Sequence, residues 1–345
     1  MTFPASDAAR RDSVIRPGVV ERFMVAALIG ALAALIVRSH ALSQPTFKSD
    51  FDQILAAGRA VLAGQDPYAA IGPGKPFEWK WPLYYPLPAV LLTLPLSLLP
   101  VIAGRMVFAG LSTALFTWGV TRDGWSRWPI FLSVTLYVSV DLVQWSSLLT
   151  AAYFVPALAF IGVAKPNFGV ALAAGARDNS SIFWLLAGAL ALTMASFAVQ
   201  SDWVGPWLHQ LRDAPHFVSP VARPLGFLTL LAVVRWRRPE ARWLLALSLV
   251  PQAPNFYDQL LLTALCVTTW ETAVLSATTY LLFFYVRHYA PLPDAAWQQL
   301  VGNATLWFCY LPCLVMVLRR PNEGALPGFL SPFARLWRTS SASTP

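Results

Sequence analysis

Charge is what this sequence has least of. Of its 345 residues only 25 are Lys or Arg and 17 are Asp or Glu, 12% together, while 57% are hydrophobic. A soluble domain carries about 25% charged residues. Length alone points to about two soluble domains, but a chain so poor in charge cannot cover a water-facing surface. The composition therefore excludes an ordinary soluble enzyme and implies an integral membrane protein. Cysteine is scarce too: Cys266, Cys309 and Cys313 all lie in apolar runs. Cys309 and Cys313 can share a helix face, but without His or acidic companions they read as buried structural thiols, not metal ligands. Four histidines and scattered acids give no metal-ligand spacing. Also missing are G-x-S-x-G, H-E-x-x-H, a P-loop and the dinucleotide glycine fingerprint. The net charge of +8 comes without a zinc finger or a basic stripe interleaved with aromatics, so no nucleic-acid partner is expected.

What is present fits a membrane. The 15 Trp and 21 Phe match the aromatic belts found at membrane boundaries. Positive charge clusters in Arg10, Arg11, Arg16 and Arg22, in RWRRPEAR (235–242) and in Arg319 and Arg320, the pattern of cytoplasmic tails and loops. Residues 1–22 read as a cytoplasmic tail. The apolar run after them is too long for a signal peptide and is read as a retained first span. Expected spans are 20–40, 84–101, 104–120, 128–143, 145–162, 181–200, 220–235, 272–289 and 303–318, with shorter pieces at 166–177, 243–253 and 258–270. That makes about nine to twelve crossings in one all-α transmembrane domain (23–318), followed by a cytoplasmic tail at 319–345. The longest interruption, 42–82, is expected outside the cell with 201–219 and 290–302.

Within that loop lies SDFDQILAAGRAVLAGQDPY (49–68). Phe51, Ile54, Leu55, Gly58 and Leu62 form an apolar stripe at helical spacing. Ser49 or Asp50 suits the N-cap and Gly64 the position just past the end, with Pro67 beyond. Too short to span, this helix is expected to lie on the outer membrane surface, apolar face down. Asp50 and Asp52 have two readings. One caps the helix while the other points at water, or one is a general base held ionised by the helix N-terminus. The residues alone leave both open.

The same stretch, followed by WPLYYPLPAVLLTLPLSLLP (81–100), resembles the polyprenyl-phosphate-dependent glycosyltransferases of family 87, membrane enzymes of the GT-C fold that include α-mannosyltransferases. The likeness rests on Asp50-Phe51, on Gly64-Gln65-Asp66-Pro67-Tyr68 and on Tyr85-Pro86-Leu87-Pro88. Lys165-Pro166-Asn167 and Pro254-Asn255-Phe256-Tyr257-Asp258 resemble two later family elements. Where the family usually has Gly-Gln this chain has Val143-Gln144, and the stretch from Gln144 to Lys165 is compressed. The resemblance touches about half the chain, most specifically in 49–100.

The resemblance implies transfer of a hexose, mannose by analogy with relatives, from a polyprenyl-phosphate donor to a lipid or glycan acceptor, with inversion. The reaction would take place at the outer face of the cell membrane. Asp50 is implied as catalytic base and Asp52 as the fallback. Arg59, Lys165, His209 and His216 are candidates for the donor phosphate. Tyr68, Tyr85, Gln144, Tyr257 and Asp258 are candidates for lining the substrate site. No cofactor is implied, and a divalent-cation requirement stays open. The rival reading is a secondary transporter or a lipid or glycolipid flippase of the cell envelope. Transporters keep their ionisable groups near the membrane midplane, whereas here the polar residues gather in the loop after the first span.

Overall fold

The computed structural model describes residues 17–212, 214, 218–252, 256–324, 326 and 328. Arg10, Arg11, Arg16, His216, Pro254, Asn255 and most of the tail at 319–345 lie outside the described residues. The described residues are mostly helical. Helix α1 (Val19–Ser43) begins where Glu21 accepts the Gly18 N–H at 3.0 Å, and it runs antiparallel to α5 (Val101–Val120). The two cross at Gly30 and Gly110. A Cβ on Gly30 would come within 2.7 Å of the Gly110 carbonyl oxygen, so only glycine permits this approach.

Among the described residues, four helices are long and apolar enough to cross a membrane: α1, α5, α9 (Asn179–Val199) and the continuous rod Asp294–Leu318. The rod joins α13 (Asp294–Thr305) to α14 (Leu311–Leu318) through a π-helical turn, Leu306–Tyr310. Pro312 lacks the N–H that a regular ladder needs there, the usual cause of such an irregularity. Residues 294–302, expected in an outer loop, are thus the first turns of a long helix.

Of the other expected spans, 272–289 is one unbroken helix of 20 residues, Thr269–His288, while the rest are broken, most often beside a proline. The run 84–101 yields only α4 (Leu87–Ser97), with Pro86 before it, Pro95 inside it and Pro100 after it. Eleven residues rise about 17 Å, roughly half a hydrocarbon core. The run 128–143 divides into a 3₁₀ segment, Trp125–Leu132, and α6 (Val134–Asp141). The run 145–162 divides at Pro156 into α7 (Ser146–Phe154) and a 3₁₀ segment, Pro156–Ala164. Two further 3₁₀ segments occupy Gly226–Arg235 and Phe256–Leu265. The shorter helices α8 (Pro166–Ala174), α10 (Val204–Arg212) and α11 (Pro239–Leu249) complete the bundle with the longer α12 (Thr269–His288).

The first loop is ordered. It carries α2 (Asp52–Leu62), α3 (Pro67–Ala70) and a two-residue parallel pair, β1 (Ile71–Gly72) with β2 (Phe77–Glu78). Helix α2 ends where expected, since Gly64 takes a left-handed φ of 70°. Its setting differs from the expectation. The apolar face lies not on lipid but against α4 and α5, with Ile54, Leu55 and Ala57 fully buried. A satellite core of Tyr68, Leu83, Leu87, Val90 and Trp203 underlies the rest of the loop and ties it to α10.

Candidate functional site

The two acids of the first loop have separate surroundings. Asp52, 5% exposed, turns inward at the start of α2. Its carboxylate accepts the Ser49 N–H and Oγ–H, each at 3.1 Å. Arg105 of α5 grips it with both forks, Nε to Oδ1 at 2.6 Å and Nη2 to Oδ2. A carboxylate saturated by four donors is in no position to take a proton from a substrate. Neither Ser49 nor Asp50 caps α2 through its side chain.

Asp50 precedes the helix and points the other way, into a cavity of about 710 Å³. Its Oδ2 accepts Gln144 Nε2 at 2.5 Å and lies 3.5 Å from the Tyr257 hydroxyl. Its Oδ1 has no hydrogen-bond partner among the described residues. Burial pushes the carboxyl up to about 6, with Lys165 opposing and Asp258 and Asp52 adding to the rise. Gln144 is 3% exposed and follows Val143, whose φ of 55° is left-handed. A β-branched residue held there costs on the order of 1–3 kcal/mol, the kind of strain that marks sites where the backbone must aim a side chain.

Opposite Asp50, Lys165 and Asp258 form a pair at 3.3 Å, and Ser146 Oγ donates to the same carboxylate oxygen at 2.9 Å. The Lys165 ammonium lies 5.5 Å from the Phe168 and Tyr257 ring centroids. One flank of the cavity is aromatic, with Trp79, Trp81, Tyr84, Tyr85 and Trp207. Trp207 of α10 donates through Nε1 to the Tyr84 carbonyl at 2.9 Å, which fixes this wall to the first loop.

The cavity therefore brings together Asp50, Tyr85, Lys165, Tyr257 and Asp258, with Gln144 behind Asp50. It leaves out other expected residues. Arg59 donates to the Ser97 and Leu99 carbonyls at the end of α4, away from the cavity. His209 is exposed on α10 and does not line it. Tyr68 is buried beneath the loop, donating to the Tyr85 carbonyl at 3.2 Å. His216 lies outside the described residues. Sequence reasoning missed Ser146, Gln53, Gln252 and Gln298. Each is a common uncharged polar residue with no local motif to set it apart from its neighbours. Asn167, by contrast, sat in a noticed motif. Among the described residues no group of three or more His, Cys, Asp or Glu is placed to hold a metal ion. Compared with known protein families, curated proteins and solved structures, the chain gives no match.

Chemically, the site offers a carboxylate with one free oxygen, a neutralised cation close by and a broad aromatic wall. Such a set can take a proton from a hydroxyl and stack against the face of a ring.

Proposed function

We propose that the protein is a membrane glycosyltransferase that moves a sugar from a polyprenyl phosphate to an acceptor hydroxyl, with Asp50 as general base. The observation that carries this reading is the Asp50 carboxyl, pinned through one oxygen by Gln144 and open through the other to an aromatic-walled cavity. The resemblance of 49–100 to family 87 supports the same assignment. The acceptor oxygen attacks the anomeric carbon as its proton passes to Asp50. The bond from that carbon to the phosphate oxygen breaks, and polyprenyl phosphate departs with the electron pair. One displacement inverts the anomeric centre. A second carboxylic acid, required for a sugar alkoxide leaving group, is unnecessary for a phosphate. The proposal includes a GT-C-like bundle in which the proline-broken helices complete further crossings, up to nine to twelve. It includes a multi-pass place in the cell membrane with the cavity facing outward, and mannose as the sugar.

The test is transfer of labelled sugar from a polyprenyl-phosphate donor to membrane acceptor lipids. Asp50→Asn is expected to lose about 10²–10⁴ of the rate, the usual contribution of a general base, with protein level and melting unchanged. Retained transfer in Asp50→Asn would overturn the assignment. Solute uptake by proteoliposomes without any transfer would instead support a transporter.

A further inference from the structure

Beside the Asp50 cavity lies a second chamber of about 520 Å³. The two share Trp81 and Gln298 as a common wall. Its other walls are mainly apolar, from Val218, Ala222, Pro224 and Ala295. Into this chamber comes Arg223, only 9% exposed. Its guanidinium makes no hydrogen bond or ion pair with any described residue. It lies flush on Gly302 of α13, where a Cβ would come within 1.9 Å of Cζ and Nη1. The acid on the chamber's rim, Asp294, is already engaged by Lys80 at 2.8 Å. In the neighbouring cavity Lys165 is likewise matched by Asp258. Among the residues lining the two chambers, Arg223 is thus the cation left without a counter-charge.

An arginine buried without a partner is costly, and such residues in membrane proteins serve ligands or pair with acids. Its planar fork matches phosphate oxygens, Gln299 and Asn303 add amide donors to the same chamber's lining, and the apolar walls suit a hydrocarbon chain. We infer that the second chamber seats the phosphate of an isoprenoid-type phosphate ester, with Arg223 as its counter-ion. Lys165 is left to hold Asp258. This inference rests on the transferase reading for its substrate class, and it locates the two reaction partners.

The experiment is calorimetric titration of the full-length protein, in nanodiscs of zwitterionic lipid, with farnesyl phosphate. Farnesol, inorganic phosphate and added phosphatidylglycerol are the comparison arms. Arg223→Gln removes the charge. Gly302→Ala keeps it but displaces the guanidinium, and only the end of a flexible side chain has to yield. Farnesyl phosphate is expected to bind wild type and to weaken at least about tenfold in both variants, the scale of one lost charged hydrogen bond. Farnesol should show no difference between wild type and Arg223→Gln. Competition by phosphatidylglycerol would make the occupant a membrane phospholipid, and so overturn the donor assignment. Equal farnesyl phosphate affinity in wild type and both well-folded variants would overturn the site itself, as would an absence of binding in wild type. Asp50→Asn should bind farnesyl phosphate normally. An active Asp50→Asn with a binding-deficient Arg223→Gln would therefore sink only the base, and the reverse pattern only this site.

Discussion

Burial holds the Asp50 carboxyl at about 6 instead of 3.8, and two opposite pH effects follow. As a base it must be ionised, so the transfer rate should rise about tenfold per pH unit below 6 and level off near 7, read from initial rates across pH 4.5–8. Stability runs the other way. Between 3.8 and about 6 the native state keeps a proton that the unfolded chain has released, so folding weakens as pH rises through that window. Asp50→Asn removes the ionisation and should melt no lower than wild type at pH 8, while losing activity. Asp52 predicts the reverse balance. Asp52→Asn leaves Arg105 buried without its counter-charge and should lower stability by about 3–5 kcal/mol. That loss should show in detergent melting curves at neutral pH. If Asp52→Asn melted like wild type and yet lost transfer, the roles given to the two acids would be exchanged.

Helix α2 shows what was legible at the scale of an element. Its stripe, its length and its glycine stop could be read from periodicity and turn chemistry, because those are local. What covers the stripe could not, since lipid and a neighbouring helix are equally apolar. The covering partner is α4, and the contact is tight: a Cβ on Gly58 would sit 2.0 Å from Ser97 Oγ and 2.8 Å from Ser97 Cβ. Gly58→Ala should cost about 1–3 kcal/mol by overpacking. Adding Ser97→Gly should recover most of that, a coupling visible in a double-mutant cycle of melting temperatures. Additive losses would place the strain elsewhere. The long apolar runs misled for a related reason. Mean hydropathy integrates over about 18 residues and passes over Pro86, Pro100 and Pro156, each of which bounds a helical segment locally. Site residues were legible where a motif surrounded them, as at Asp50, Lys165 and Asp258. Gln144 was a candidate too, but the pairings of remote residues were not legible: Gln144 reaches Asp50 across 94 positions, and Arg105 reaches Asp52 across 53.

Across the whole molecule, one set of arginines gathers at the end away from the Asp50 cavity. Arg22 donates to the Trp118 carbonyl near the end of α5, and Arg177 pairs with Asp123 just beyond it. Arg242 binds the Ala174 and Ala176 carbonyls, Arg235 binds the Leu318 carbonyl, and Arg320 pairs with Glu271 at 2.6 Å. These contacts gather basic segments that are scattered in sequence onto one face. Asp50 lies past the far end of α1, a helix of 25 residues or about 37 Å. The proposed function has this arginine face in the cytoplasm, as the positive-inside rule would place it, and so has both chambers facing outward. Single reporter cysteines can test this, because Cys266, Cys309 and Cys313 are fully buried and should stay silent. Gln65→Cys lies on the exposed turn after α2, and Glu323→Cys lies exposed beyond α14. In intact cells a membrane-impermeant maleimide should label the first at once and the second only after permeabilisation. The opposite order would turn the Asp50 cavity toward the cytoplasm and remove it from any outer-face donor.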